Sequence, residues 1–484
     1  MKEYNFLFYR DTEQKTTDWH DTLAVIAAAG RVTEQAYSAA EAAKAKTATE
    51  PAGKPKTDFA GKAKGSTVKS KAEQALGKGK TPLVIDADAA ESVRVLTCRM
   101  VSFATEFGLY GNLWQQWIAY MLIMHENAFT LACERRWVGR TSTIMKLAEE
   151  DFALFMDLFK CDLDALGSQT GTDLLAMMAN YIIPFAHDTE NGSGRQIRAL
   201  ASRLANARDA KEFGRIMADY YAEQGVGEYS LYRAFRVAEG EDSMRIVPIA
   251  QTADITFDDL IGYDEQKKTL KENTEAFVGG LHANNVLLYG DSGTGKSTSV
   301  HALMHDYFAR GLRLIEIAKP DRVKLPQVLA EIKKRNYRFI IFLDDLSFEE
   351  NESDYKELKA MLEGALESRS DRVLIYATSN RRHLIRETWG DRADMEYNED
   401  IHRSDTMEEK LSLASRFGVT IYYAKPDPEE YMNIVKELAK KNGIETDEKE
   451  LEDIARKWEL RHGGMSGRTA SQLITWLKGE GLQE

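Results

Sequence analysis

The run GDSGTGKS, Gly290 to Ser297, fits the pattern G-x-x-x-x-G-K-[ST]. It follows the apolar run NVLLY and opens the helix-like segment STSVHALMHDYF. The string alone arises by chance in roughly one or two chains per hundred of this length, and its place between a strand and a helix makes chance rarer still. The residue types fit one chemistry. Glycines let a backbone wrap phosphate groups, with N–H groups pointing inward at a helix N-terminus. Lys296 reaches the β- and γ-phosphates, and Ser297 offers a hydroxyl to Mg²⁺. The expected nucleotide cradle is Gly290, Asp291, Ser292, Gly293, Thr294, Gly295, Lys296, Ser297 and Thr298.

A second run, RFIIFLDDLSF, ends in two carboxylates, Asp344 and Asp345. At the C-terminal edge of a buried parallel strand, Asp344 can hold Mg²⁺ through water, and Asp345 can orient or deprotonate an attacking water. Three weaker signals follow. VLIYATSN closes on Asn380, SLASRFGVTIYY places Arg416 before a last strand, and GGMSGRTASQL puts Arg468 in the first turn of a C-terminal helix. Singly, each reads more simply as a turn residue or a surface charge.

In this order the five elements resemble the AAA+ ATPases, whose corresponding parts are Walker A, Walker B, sensor one, arginine finger and sensor two. FDDLIGYDEQKKTL, Phe257 to Leu270, looks like the opening motif of that fold, and the resemblance implies that Ile261 and Gly262 line an adenine pocket. It covers roughly residues 250–484. DDLSFE, YATSNRRHL, EEKLSLASRFG and SGRTA are closer still to a bacterial family of predicted AAA+ proteins, catalogued as domain of unknown function eight-one-five. Two departures matter. Many AAA+ members carry Asp-Glu where this chain has Asp344-Asp345, one methylene shorter. Protein-threading members carry an aromatic loop after the second strand, where this chain reads AKPDRVKLP, Ala318 to Pro326. Lys319, Arg322 and Lys324 in that loop read as a solvated surface, or as a contact for an acidic or nucleic-acid partner.

The remaining chain sets the architecture. Short apolar runs at Asn285–Tyr289, Leu312–Ile317, Phe339–Leu343, Val373–Thr378 and Val419–Tyr423 alternate with helical segments, the pattern of a parallel sheet covered on both faces. Helices are expected at Glu429–Lys441, Glu448–Trp458 and Arg468–Lys478. Residues 81–245 read as helical, with Ala148, Phe152, Phe155 and Phe159 on one face, Ile197, Leu200, Leu204 and Ala207 on another, and a loop from His187 to Arg195. Residues 41–80 hold ten lysines and four acids, a charge of +6, which leaves −19 for the rest of a chain whose net charge is −13. With few large apolar side chains, residues 39–80 read as a disordered spacer.

The expected fold is therefore an α/β P-loop NTPase, an AAA+-like five-stranded parallel sheet with a helical lid, behind a mainly α-helical N-terminal domain. Its divisions are an N-terminal segment 1–38, the Lys-rich insert 39–80, a helical domain 81–245, the nucleotide-binding core 246–425 and the lid 426–484. The expected cofactors are ATP and Mg²⁺. Asp344 and Ser297 are the metal residues, and Asp345 and Asn380 position water. The resemblance further implies a homo-oligomer in which Arg416 acts in trans and Arg468 couples the lid to the nucleotide. A protein client on the N-terminal helices completes this reading. A nucleic-acid loader is the alternative raised by the basic insert and opposed by the negative net charge; a nucleotide-gated scaffold with little hydrolysis is raised by the shorter Asp345. No Asn-Lys-x-Asp motif supports a GTPase. Three cysteines, none in a close pair, exclude a disulfide framework and suit a reducing cytosol. The start, MKEYNFLFYRDTEQK, lacks an apolar h-region, and the most apolar stretch, around Leu113 to Met124, is too short for a bilayer and carries Gln115 and Gln116. A cytoplasmic protein without membrane contact is expected.

Overall fold

The computed structural model describes residues 87–139, 141–170, 172–183, 192–239, 244–250, 252, 255–346, 371–380, 416–444 and 446–480. The segment 1–38 and the insert 39–80 lie outside the described residues, as do 347–349, 381–384 and 408–415 of the quoted motifs. The chain forms two compact units, Met1–Ala222 and Glu223–Glu484.

In the first unit the described chain is helical: α1 (Ala87–Phe107), α2 (Leu113–Met124), α3 (Ala128–Glu134), α4 (Thr143–Phe159), α5 (Leu163–Thr170), α6 (Leu174–Met178), α7 (Gly192–Ala205) and α8 (Ala210–Gln224). Residues 192–195 of the expected loop instead form the first turn of α7. Ser193 and two glycines are poor helix formers, and the buried Ile197, Leu200 and Leu204 behind them carry the helix. Ala148, Phe152, Phe155 and Phe159 are buried on one face of α4 as their spacing requires. The glutamines of α2 are absorbed internally. Gln115 Nε2 donates to Phe159 O at 3.1 Å and Gln116 Nε2 to Tyr110 O at 2.7 Å, while Gln116 Oε1 is buried without a hydrogen-bond partner among the described residues. Among the described residues no helix is long and apolar enough to cross a membrane.

The second unit opens with a short helix, α9 (Glu228–Leu231), and is built on seven strands: β1 (Ala234–Glu239), β2 (Met244–Pro248), β3 (Val286–Gly290), β4 (Leu312–Glu316), β5 (Arg338–Leu343), β6 (Val373–Ser379) and β7 (Val419–Tyr423). The order across the sheet is β2-β1-β4-β5-β6-β3-β7. Only β2 runs antiparallel, against β1. Five of the six parallel strands are those expected. The two added at one edge correct the reading of 81–245 as helical to its end. AFRVAE sends Phe235 and Val237 into one core with Arg236 exposed between them once it pairs with β4, but six residues are too few to betray a strand period beside a long helical region.

Helices α10 (Asp264–Val278) and α11 (Lys296–Tyr307) cover one face of the sheet, and α12 (Leu325–Ile332) the other. β5 shows why both faces are needed. Phe339, Ile341 and Leu343 enter one core while Ile340 and Phe342 enter the opposite one. The lid is α13 (Pro428–Lys441), α14 (Glu448–Arg461) and α15 (Gly467–Glu480), joined by a core of Tyr431, Ile434, Val435, Leu451, Leu473 and Ile474. Asp427 starts α13 by a reciprocal capping box with Glu430, and Pro428 follows in its first turn.

A buried arginine ties the start of this unit to the sheet. Arg313 on β4 is 1% exposed and donates to the carbonyls of Tyr229, Phe308 and Leu312 at 2.5, 3.0 and 2.7 Å. Its guanidinium lies 4.1 Å from the Phe308 ring centroid and 4.6 Å from that of Tyr337. Methionine at position 313 would keep the apolar stem and take a donor from each of these carbonyls, of which Phe308 O also accepts from Gly311 N at 3.0 Å. Arg313→Met is expected to cost about 3 kcal/mol, read as a lower midpoint in chemical denaturation.

Candidate functional site

Strand β3 ends on Gly290, whose φ of 132° only glycine adopts readily. A Cβ there would lie 2.1 Å from the carbonyl oxygen of Tyr423, so the missing side chain lets the ends of β3 and β7 meet. The turn after it is pinned from several sides. Asp291 N donates to Tyr423 O at 3.0 Å, Lys425 N donates to Asp291 Oδ2 at 3.0 Å, and Thr294 Oγ1 donates to Asp291 O at 2.8 Å. Gly295, at φ 89°, opens α11, and a Cβ on it would strike Leu260 at 2.5 Å. The loop therefore seats against the segment that leads into α10 and aims the N-terminus of α11 into a cavity, an arrangement that favours an anion.

Lys296 is 5% exposed, with Nζ donating to Asp291 O at 2.6 Å and Gly290 O at 3.2 Å. Burial pushes its ammonium down to about 8, against the opposing pull of Asp291, Asp344 and Asp345.

The acidic pair stands just past β5. Asp344 Oδ1 accepts from Ser297 Oγ at 2.7 Å and from Thr378 Oγ1 at 2.5 Å. Asp345 takes a left-handed backbone, φ 50°, which costs an L-residue roughly 1–2 kcal/mol and which Asp tolerates better than most. Its N–H donates to Thr378 Oγ1 at 3.0 Å, and its Oδ1 accepts from Asn380 Nδ2 at 2.8 Å. Thr378 thus serves both aspartates. The basic loop after β4 departs from expectation. Arg322 is 6% exposed and its Nη2 donates to Asp344 O at 3.1 Å. Lys324 pairs with Asp321 at 2.8 Å and Glu239 at 3.5 Å. Of the three basic residues, Arg322 belongs to the interior because its guanidinium finds a strand-end carbonyl there.

These groups line a cavity of ≈ 490 Å³, of a size to hold a nucleotide. Ile261, Ser292, Gly293, Thr294, Gly295, Lys296, Ser297, Thr298, Asp344, Asp345, Asn380 and Arg468 all reach it. Gly290 and Asp291 shape the turn beneath, and Gly262, at φ 78°, lies between two lining residues, Ile261 and Tyr263. Arg416 does not line it. This exposed residue precedes β7, at the end of that strand remote from Tyr423 and Gly290. Thr378, Tyr263, Ile434 and Leu438 line the cavity without having been expected. Thr378 was findable, being two residues before Asn380 on the same strand face; Ile434 and Leu438, four apart on α13, were findable only as an apolar helix face.

The lid closes one wall, with Ile261 packed against its core and two polar fastenings besides. Arg468 N donates to Gly293 O at 3.1 Å, and Lys441 on α13 is ion-paired with Asp259, which lines the cavity. The bond from Lys441, with further bonds from Thr256, holds the Asp259 carboxyl below its ordinary value.

A family model described as "Protein of unknown function (DUF815)" matches residues 230–481, just over half of the chain. The chain belongs to the DUF815 family. This DUF815 protein carries an AAA+ P-loop module in its second unit. The "ATP-dependent zinc metalloprotease FtsH 1" of Thermomicrobium roseum is 24% identical over 46% of this chain and 33% of its own length. The "Proteasome-activating nucleotidase 1" of Haloferax volcanii is 28% identical over 21% of this chain and 29% of its own. The chain thus spans about a third of the length of these relatives. Among solved structures, the RuvB Holliday junction branch migration motor of Thermotoga maritima is 20% identical over 46% of this chain and 63% of that one, with a TM-score of 0.32. That likeness is slight, and the fold rests on the strand order and the loop geometry above.

The lowered Lys296 value has a testable sign. The charged lysine is disfavoured in the folded protein below pH about 8, and the penalty fades as pH rises toward the ordinary lysine range. Lys296→Met removes this term. It is expected to be at least as stable as the wild type near pH ~7, with its advantage shrinking by pH ~10, measured by urea denaturation at both values.

Proposed function

We propose that this DUF815 protein is a Mg²⁺-dependent ATPase that works as an oligomer and uses ATP binding and hydrolysis to switch or remodel a partner. The observation that carries the reading is the joining of two carboxylates with separate tasks in one cavity. Asp344 is bonded to Ser297, and Asp345, turned by its left-handed backbone, is bonded to Asn380.

The donors fit the metal. The Ser297 hydroxyl and an Asp344 oxygen are hard ligands 2.7 Å apart at the helix N-terminus. Mg²⁺ takes such oxygens along with phosphate and water. When bound, it would neutralise charge on the β- and γ-phosphates. The protein's own groups do the rest. Lys296 leaves the loop carbonyls for the phosphates, which favour its charged form. Asp345 accepts a hydrogen bond from the attacking water while Asn380 holds that carboxylate in place. Ile261, Tyr263, Ile434 and Leu438 enclose the base. Arg468 reports phosphate state to the lid. Arg416 lies outside its own cavity, which suits an arginine that serves a neighbour's site by neutralising charge developing on the γ-phosphate. The shorter Asp345 supports a second reading, a scaffold gated by ATP with little turnover. The helices of the first unit are the natural carrier of the partner.

Turnover per subunit is expected to rise with protein concentration. Arg416→Ala and Lys296→Ala should each lose it, and their mixture should regain part. Asp345→Asn should keep ATP affinity within about threefold and lose at least about a hundredfold in kcat, a general-base-sized effect. Tight ATP binding by wild-type protein without phosphate release at any concentration would establish the scaffold instead.

A further inference from the structure

The turn between β4 and α12, Lys319–Lys324, has an inward and an outward residue side by side. Val323 is 62% exposed and Arg322 is 6% exposed. Arg322 does not line the cavity, yet it grips the backbone that carries the acidic pair.

The peptide joining Asp344 to Asp345 lies beyond Leu343, the last residue of β5, so it is outside the strand proper. Side chains from two other elements hold it instead. Its carbonyl accepts from Arg322 Nη2 at 3.1 Å, and its N–H donates to Thr378 Oγ1 on β6 at 3.0 Å. Rotating this peptide plane changes ψ of Asp344 and φ of Asp345 together. Holding both of its polar ends therefore holds Asp345 at φ 50°, and with it the direction in which that carboxylate leaves the backbone toward Asn380. A left-handed aspartate relaxes unless its surroundings over-determine it. Thr378 alone is a weak anchor, since the same hydroxyl also donates to Asp344 Oδ1. The guanidinium adds a charge-assisted bond from a group that stays protonated.

We propose that Arg322 is a positioning residue for ATP hydrolysis, acting through the Asp344–Asp345 peptide. The inference rests on Asp345 as the group that orients the attacking water. Because Arg322 stands outside the cavity, its loss should reach kcat and leave nucleotide affinity alone.

The test uses full-length R322Q and R322K beside wild type, with kcat, KM and ATP affinity measured at saturating Mg²⁺ and the thermal midpoint of nucleotide-free protein recorded. R322Q is expected to lose about ten- to a hundredfold in kcat, the scale of a small misplacement of a reacting group, with ATP affinity within about threefold of wild type. R322K, able to make one bond to the same carbonyl, should fall part of the way. Unchanged kcat in R322Q overturns the proposal. So does a joint fall of kcat, affinity and thermal midpoint, which would mark a merely structural arginine. If R322Q does not fold, R322K decides: reduced kcat at unchanged affinity supports positioning, and wild-type kcat overturns it. Wild-type protein that binds ATP without hydrolysing it overturns the proposed function itself, and this inference with it.

Discussion

The cavity depends on β6 lying between β3 and β5. Adjacent strands stand about 4.8 Å apart, so the phosphate-binding loop and the acidic pair begin roughly 10 Å from each other. β6 fills that gap with Thr378 and Asn380, both of which bond the aspartates. The helix that opens from the loop supplies Ser297, which crosses to Asp344. Parallel pairing is what delivers all of these ends to the same side, and the two buried faces are what make parallel pairing stable.

Asp345 illustrates how a backbone can offset a short side chain. A glutamate reaches further by one methylene from an ordinary strand end. Here the left-handed turn swings the shorter carboxylate toward Asn380, and bonds on both sides of the preceding peptide hold the turn. The arrangement is local, and it depends on an arginine borrowed from the loop after β4.

The loop GDSGTGKS, the five parallel strands and the three lid helices were legible because each is written in adjacent residues: glycines at fixed offsets, short apolar runs, amphipathic periods. What escaped was set by tertiary contact. AFRVAE and MRIVP are too short to show their period; AFRVAE became a strand because β4 offered an open edge, and MRIVP because β1 then offered the next one. Arg322 looked like a surface charge because nothing in AKPDRVKLP announces that Asp344 O stands within its reach. Buried Arg313 is the same case on the sheet itself, where backbone carbonyls and aromatic rings receive its guanidinium. Thr378 was quoted within its strand without a role, since its role exists only once β5 is beside it.

The fastening of the lid also sets how readily it moves. One backbone bond to Gly293 and one ion pair between Lys441 and Asp259, whose side chains are 46% and 37% exposed, tie it to the loop side. An ion pair that wet contributes no more than about 1 kcal/mol, a factor of roughly five between fastened and released. Dissolved salt weakens it further over a screening length of about 8 Å at physiological ionic strength. This ion pair is thus held with a free energy comparable to thermal agitation, while Ile261 packed against the lid core is indifferent to salt, and the ionic strength of the surrounding solution becomes one of the variables that set how firmly the lid is fastened.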